Sequence, residues 1–371
     1  MKSIFIYIHQ SILKGGVEKV FYNLFENLPD DEYEITVLNK CVYLTDDLQV
    51  IHYKGQKKRL WLLYDEFSKS LLSQTKQRIH NKISKFTIPL WLKTKRFDIA
   101  IAAQEGPYAD FVIRYVHADR KLLWIHNDLR VAHWTGRFFE STQKERECYS
   151  KFDKVICVSN DVRDSMVEVF GQMEDLAVAY NPIDTNEIDR KLKGKSIPRD
   201  TVPLFVCVGR LVEQKGFDRL LPICKELNDS GYSYNVWILG EGSERPRLEQ
   251  MIKDFQLDNV HLLGNQSNPY VYMKAANWLL CTSRHEGFNM TLHEAIYCGT
   301  PVITTDNAGA KELLGENEFG IVLNNDDESI KNGLLMVLND PSLQQRYHTA
   351  ALERKSFVSL EQRMRVICSF L

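Results

Sequence analysis

Ten short, apolar, β-rich runs punctuate this chain at spacings that leave room for helices between them, and that alternation restricts the fold more than any other feature. They read "IFIYIH", "EITVLN", "FDIAIAAQ", "KLLWIH" and "KVICVS", then "LFVCVG", "NVWILG", "NVHLLG", "WLLCT" and "PVITT". Strand-like runs separated by helical patterns build parallel sheets, because a parallel neighbour is reached only through a crossover connection, usually a helix. The expected class is α/β. Between the two series of five lies Asn181 to Pro203, "NPIDTNEIDRKLKGKSIPRDTVP", polar and bounded by prolines, which reads as an interdomain connection. With 371 residues the chain is long enough for two domains. The expected division is residues 1-181 and 182-357, with a C-terminal helix at about 358-371 that can pack back on the first.

The eight cysteines are scattered without a C-x-x-C pair, and Cys157, Cys207 and Cys281 sit in apolar strand-like runs. That usage fits reduced core thiols and a cytoplasmic compartment. The N-terminal "IFIYI" is too short for a signal-peptide core, and no run approaches eighteen apolar residues, so no membrane span is expected.

The stretch "SRHEGFNMTLHEAIYCGTPVITTD", Ser283 to Asp306, holds two carboxylates eight residues apart, Glu286 and Glu294. Apolar runs flank it, "MTLHEAIYC" has helical periodicity, and Gly299 and Pro301 stop the helix. The unit reads as strand, loop, helix, parallel strand. In such a unit the loop leaving the strand opens on the ligand crevice, and the helix start offers N–H groups to an anion. Two purely structural readings compete: Thr291-x-x-Glu294 matches a capping box, and Glu286 could be a solvated loop charge.

Three more loops follow strands. "VGRLVEQKGFDRLL" sets Arg210 and Lys215 ahead of a helix, where two cations suit a diphosphate or are simply solvated. "ILGEGSERPRLE" contains Gly240-x-Gly242-x-x-Arg245, a near miss to the dinucleotide fingerprint, with an arginine where a small residue belongs. In "HQSILKGGVEKVFYNL", Gly15-Gly16 permits close backbone approach to a ligand or makes a plain tight turn.

The ordered set "KGGVEKV", "WIHND", "YNPID", "GRLVEQKGFDRLL", "LGEGSERPRL" and "RHEGFNMTLHEAIYCGTPVITTD" resembles the retaining, GT-B-fold glycosyltransferases of family 4, over nearly the whole chain. The resemblance implies two Rossmann-like parallel-sheet domains facing across a cleft, the first for the acceptor and the second for a nucleotide-sugar donor. It implies that Glu294 accepts hydrogen bonds from the ribose diol, that Glu286 lies against the donor sugar, and that Phe288, Asn289, Met290, Thr291 and Leu292 offer backbone N–H groups to sugar and diphosphate. Gly240 and Glu241 join the donor-binding set, and Gly15 and Gly16 close on the same phosphates. Arg210 and Lys215 would hold the charge that grows on the leaving diphosphate. His126 in "WIHND" would orient a sugar hydroxyl or ease charge, unless it is a strand-end core histidine. No D-x-D pair is present, so metal-independent transfer is expected, with no cofactor beyond the nucleotide-sugar, a UDP-sugar by family preference.

Tyr53 to Phe97 holds twelve Lys or Arg and two acids, Asp65 and Glu66, a net of 12 − 2 = +10 in a chain of net −2. Leu60, Leu63, Tyr64, Phe67, Leu71 and Leu72 recur at helical spacing, with Trp61 and Trp91 near the ends. A basic amphipathic helix pair with aromatic anchors reads as a membrane-surface element, with Lys57, Lys58, Arg59 and Trp61 at the contact. The competing reading is an apolar stripe on the core with a solvated basic face. No nucleic-acid motif accompanies the charge. Taken with such a surface, the resemblance implies a protein peripheral on the inner face of the membrane, extending a lipid-linked or polysaccharide acceptor in a bacterial cell. Two other classes stay open: a non-catalytic GT-B partner or chaperone of another transferase, and a nicotinamide-dependent oxidoreductase.

Overall fold

The computed structural model describes residues 2–8, 16–28, 32–39, 61–63, 89–198 and 201–371. Seven parallel strands form one sheet: β1 (Lys2–Ile8), β2 (Tyr33–Asn39), β3 (Trp61–Leu63), β4 (Phe97–Ala102), β5 (Ala118–Ile125), β6 (Lys154–Cys157) and β7 (Leu176–Val178), in the order 3-2-1-4-5-6-7. Six more form a second: β8 (Leu204–Val208), β9 (Asn235–Leu239), β10 (Val260–Gly264), β11 (Trp278–Cys281), β12 (Val302–Thr305) and β13 (Ile321–Leu323), in the order 10-9-8-11-12-13. All ten apolar runs of the sequence become strands. The three additional strands, β3, β7 and β13, are each three residues long and lie at sheet edges, where a strand is too short to leave a periodic signal.

The strands of the second sheet are apolar throughout because both faces are covered. Phe205, Cys207, Trp278, Leu280 and Ile303 enter one buried cluster, while Leu204, Val206, Leu279 and Val302 enter another. Neighbouring residues point to opposite faces, so a continuous apolar run serves two cores. Each such side chain contributes about 1.5–3 kcal/mol. In both sheets the chain order reverses at one place, between β1 and β4 and between β8 and β11. Ligands of open parallel sheets bind outside the carboxyl ends of the strands at that reversal.

By contacts the chain forms two compact units, Met1–Val158 with Val162–Tyr180 and Met364–Leu371, and Ser159–Asp161 with Asn181–Arg363. Two expectations need correction. The polar segment 181–203 is not a bare connector: Asp184 caps the Thr185–Leu192 helix through the Glu187 N–H (2.7 Å), and Ile183 and Ile188 are fully buried in the second unit. The helical spacing assigned around Leu60 and Leu63 gives way to strand β3, paired with β2 in the register Thr36↔Trp61. An open strand edge with unpaired backbone groups overrides a short stretch of side-chain spacing. The rest of that segment up to residue 88, with Lys57, Lys58 and Arg59, lies outside the described residues.

Candidate active site

The loop after β8 carries Arg210, exposed, and then a 3₁₀ turn, Glu213–Lys215. Gly216 follows at φ +68°, and a Cβ there would lie 2.1 Å from the Thr282 carbonyl oxygen, so only glycine lets this loop touch the one after β11. The two loops are then laced together. The Thr282 hydroxyl donates within reach of the Lys215 and Gly216 carbonyls (3.1 and 3.2 Å), the Arg284 N–H donates to the Gln214 carbonyl (2.8 Å), and the Gln214 amide to the His285 carbonyl (2.9 Å). Buried Arg219 donates to the carbonyls of Thr282 (3.0 and 2.7 Å) and Ser283 (3.1 Å) and to Asn325 Oδ1 (2.6 Å). Arg284 grips Asp218 through two bonds (2.7 and 3.0 Å).

This lacing brings together residues that stand 71 positions apart: Lys215 Nζ lies 2.6 Å from Glu286 Oε1. Ser283 Oγ donates to the same oxygen at 2.6 Å. The two side chains are only 16% and 9% exposed. Burial by itself would lower the Lys215 ammonium, but the adjoining Glu286 carboxylate outweighs it and holds the group above its usual 10.5. Lys215 is therefore a fixed cation at neutral pH, and Glu286 is a buried carboxylate rather than a solvated loop charge.

Glu294 lies in the Met290–Cys298 helix and is buried. The capping-box pattern is not used. The helix begins two residues earlier than that pattern requires, with Asn289 rather than Thr291 as its N-cap, and Asn289 Oδ1 accepts from the Thr291 N–H at 3.2 Å. Asn289 is held in turn by its Nδ2 on Cys281 Sγ (3.0 Å). Its carbonyl takes the Leu292 N–H (3.2 Å), so two of the five N–H groups expected to face a ligand are engaged by the cap, and the Leu292 side chain is in the core. Phe288 stacks on His293 (4.2 Å, 18°), and Met290 opens the helix. The helix stops where expected, at Gly299 in the left-handed region, with the Thr300 N–H on the Ala295 carbonyl (2.9 Å). Val208, Lys215, Thr282, Ser283, Asn289 and Thr291 line a small cavity with room for about one water molecule.

Gly240 adopts φ +142°, and a Cβ on it would meet the Gly209 carbonyl oxygen at 1.9 Å. The glycines of the near-miss fingerprint thus serve backbone contact between the loops after β8 and β9, closed by the Leu211 N–H on the Glu241 carbonyl (3.0 Å). The exposed Glu241 carboxylate pairs with Arg245 (2.7 Å) at the start of the Arg245–Asp254 helix.

In the other unit, His126 follows β5 and is buried, with Nε2 3.0 Å from the Ala103 carbonyl oxygen. Burial pushes its pKa down to about 4, against a smaller opposing effect of that carbonyl. Gly16 is the first residue of the Gly16–Asn27 helix, and Gly15 lies outside the described residues. Sequence reasoning missed Ser283, Arg219 and Glu105. Ser283 opened the stretch already singled out, and Arg219 stood in "GFDRLL", but neither residue type in those places signals a long-range bond.

A buried ammonium held by a carboxylate, a guanidinium on the same loop and a second buried carboxylate within the following helix suit a polyhydroxylated phosphate ester: cations for phosphate, carboxylates for hydroxyl pairs. Residues 14–187 match the model described as Glycosyltransferase Family 4, and residues 189–354 that of Glycosyl transferases group 1. The N-acetylgalactosamine-N,N'-diacetylbacillosaminyl-diphospho-undecaprenol 4-alpha-N-acetylgalactosaminyltransferase of Campylobacter jejuni is 32% identical over 210 residues, 56% of this chain and 56% of that protein. The match therefore spans about half of that relative's length. An uncharacterized glycosyltransferase of Haemophilus influenzae is 24% identical over 352 residues, 92% of each chain. Among solved structures, sucrose-phosphate synthase of Thermosynechococcus elongatus has a TM-score of 0.78 at 18% identity, over 100% of this chain and 98% of that one, which marks the GT-B fold. With two adjoining family models spanning nearly its whole length, the chain belongs to the glycosyltransferases, a family 4 domain followed by a group 1 domain.

Proposed function

We propose that this protein moves a sugar from a nucleotide-sugar, with UDP favoured, to a glycan acceptor in bacterial surface polysaccharide synthesis, with retention of anomeric configuration and without a metal ion. The observation that carries the reading is the Lys215–Glu286–Ser283 arrangement at the chain reversal of the second sheet, followed by a helix that buries Glu294. Breaking a glycosyl–phosphate bond builds negative charge on the diphosphate and positive charge on the sugar, so catalysis needs a fixed cation and little water. Lys215 supplies a cation already desolvated and oriented, and Arg210 adds a second charge from the solvent side. Glu286 receives both of its bonds on Oε1, which leaves Oε2 for a sugar hydroxyl. Glu294 takes the ribose diol. The sugar C1–O bond to phosphate breaks, the acceptor oxygen bonds C1 on the same face, and its proton passes to the leaving phosphate oxygen, so no protein base is assigned.

The acceptor is lipid-linked in this reading, and the protein is cytoplasmic and peripheral on an anionic inner membrane face. Support comes from the +10 segment and from the Campylobacter jejuni relative, which is named for a diphospho-undecaprenol acceptor. No helix of the described residues is long and apolar enough to cross a membrane. Against the oxidoreductase reading, the glycines of the near-miss fingerprint are occupied in backbone contact. Donor-hydrolysis and transfer assays with labelled UDP- and GDP-sugars, with and without EDTA, test the proposal. Cleavage of a UDP-sugar that survives chelation is expected. Binding of nucleotide-sugars without cleavage points to a non-catalytic partner, and hydride transfer to a nicotinamide overturns the reading altogether.

A further inference from the structure

We infer that Glu105, which no part of the donor site uses, is a positioning residue that fixes His126 toward the sugar. The inference rests on the reading of His126 as a donor-sugar residue. Glu105 follows β4 at the chain reversal of the first sheet and is completely buried. A carboxyl group in such a place is costly unless its oxygens are bonded, and these are. Oε2 accepts the His126 main-chain N–H at 3.0 Å, and Oε1 accepts from Asn127 Nδ2 and from Trp134 Nε1 (3.3 Å). One carboxyl thereby ties the strand-end histidine, its neighbour and the Trp134–Phe138 turn to the loop after β4.

The same loop holds the imidazole itself. A carbonyl oxygen only accepts, so the 3.0 Å contact between His126 Nε2 and the Ala103 oxygen requires the proton on Nε2 and leaves the lone pair on Nδ1. Phe21 closes another side, with its ring edge-on at 6.4 Å. Burial keeps the ring neutral near pH 7. His126 is thus held by main chain and ring from the two ends of a three-residue turn, Ala103 to Glu105. It meets a ligand as a fixed hydrogen-bond acceptor at Nδ1, whose partner is a hydroxyl that donates, and it gives no proton to the reaction. Were Glu105 only a packing residue, an apolar side chain would serve better there; its three donors all lie on the His126 loop and its continuation.

Glu105→Gln in the full chain tests this, because the amide keeps the size but turns an NH₂ toward donors that need an acceptor. The measurements are kcat for UDP-sugar hydrolysis, UDP affinity by calorimetry, and the ¹⁵N resonances of the His126 ring. The expected result is a kcat at least tenfold lower, UDP affinity within twofold of wild type, and a single Nε2–H tautomer in the wild type that becomes a mixture in the variant. An unchanged kcat, an unchanged His126 signature, or a parallel loss of UDP affinity and melting temperature overturns the inference. Trp134→Phe, which removes one donor and keeps a ring, must shift the same signature and lower kcat if Glu105→Gln does not fold; no change there overturns it equally. A wild type that cleaves no nucleotide-sugar refutes the glycosyltransferase reading instead, and the ring resonances still decide whether Glu105 orients His126.

Discussion

Breaking the Lys215–Glu286 pair should lower the second unit's stability as well as abolish the proposed chemistry, and the two effects are separable. The partners lie 2.6 Å apart with side chains 16% and 9% exposed, so little solvent screens them. Removing one member of a buried pair strands the other charge, a cost of about 3–5 kcal/mol. Because Ser283 still donates to Glu286, Lys215→Ala belongs near the lower end, about 3 kcal/mol. At about 2–4 °C per kcal/mol for a unit of this size, the melting temperature should fall by about 6–12 °C. Replacing both partners with apolar groups of similar volume, Lys215→Met with Glu286→Leu, should return stability to within about 1 kcal/mol of wild type, since neither charge then needs desolvation. Neither the single variants Lys215→Met and Glu286→Leu nor the double variant should transfer sugar. Urea unfolding of the four proteins closes the cycle, and single variants costing under about 1 kcal/mol, or a double variant costing the sum of the singles, refute the reasoning. The pH dependence follows the same pair. The folded-state pKa of Lys215 is raised above 10.5, so its contribution is complete below that pH and is lost as pH rises through the folded value. The Lys215→Met, Glu286→Leu protein should lack that alkaline loss.

Glu294→Ala should weaken UDP binding by about 1.5–3 kcal/mol through loss of charge-assisted ribose contacts, measured by calorimetry; a variant that keeps its affinity and only melts earlier removes the ribose role. Arg210→Ala, an exposed residue, should lower kcat more than donor affinity with little change in stability, because charge on the diphosphate grows toward the transition state. Activity lost to EDTA and restored by Mg²⁺ or Mn²⁺ would end the metal-free mechanism. Replacing Lys57, Lys58 and Arg59 together with Gln should reduce binding to anionic vesicles and activity on a lipid-linked acceptor while sparing donor hydrolysis. Flotation equal to wild type across low salt and an anionic-lipid series would make a soluble acceptor the better reading.

The sequence by itself determined what local chemistry can encode. Short apolar, β-rich runs marked ten strands, Gly299 marked the end of the Met290–Cys298 helix, and the alternation marked two parallel sheets, since each signal is written within a few adjacent residues. The eight-residue spacing of Glu286 and Glu294 was likewise visible, though not their surroundings. What the tertiary structure decided was partnership across long separations. Lys215 and Glu286 meet over 71 positions, Arg219 pins Thr282 over 63, and Glu105 holds His126 over 21; none of these bonds leaves a trace in spacing or composition. The same holds where local signals misled. The Thr291-x-x-Glu294 pattern lost to an Asn289 cap oriented by Cys281 on a neighbouring strand, and the helical spacing around Leu63 lost to the open edge of β2. Short-range propensities are worth tenths of a kcal/mol to about 1 kcal/mol per residue, whereas an unpaired buried backbone group or a stranded charge costs more, so the long-range partner prevails wherever the two disagree.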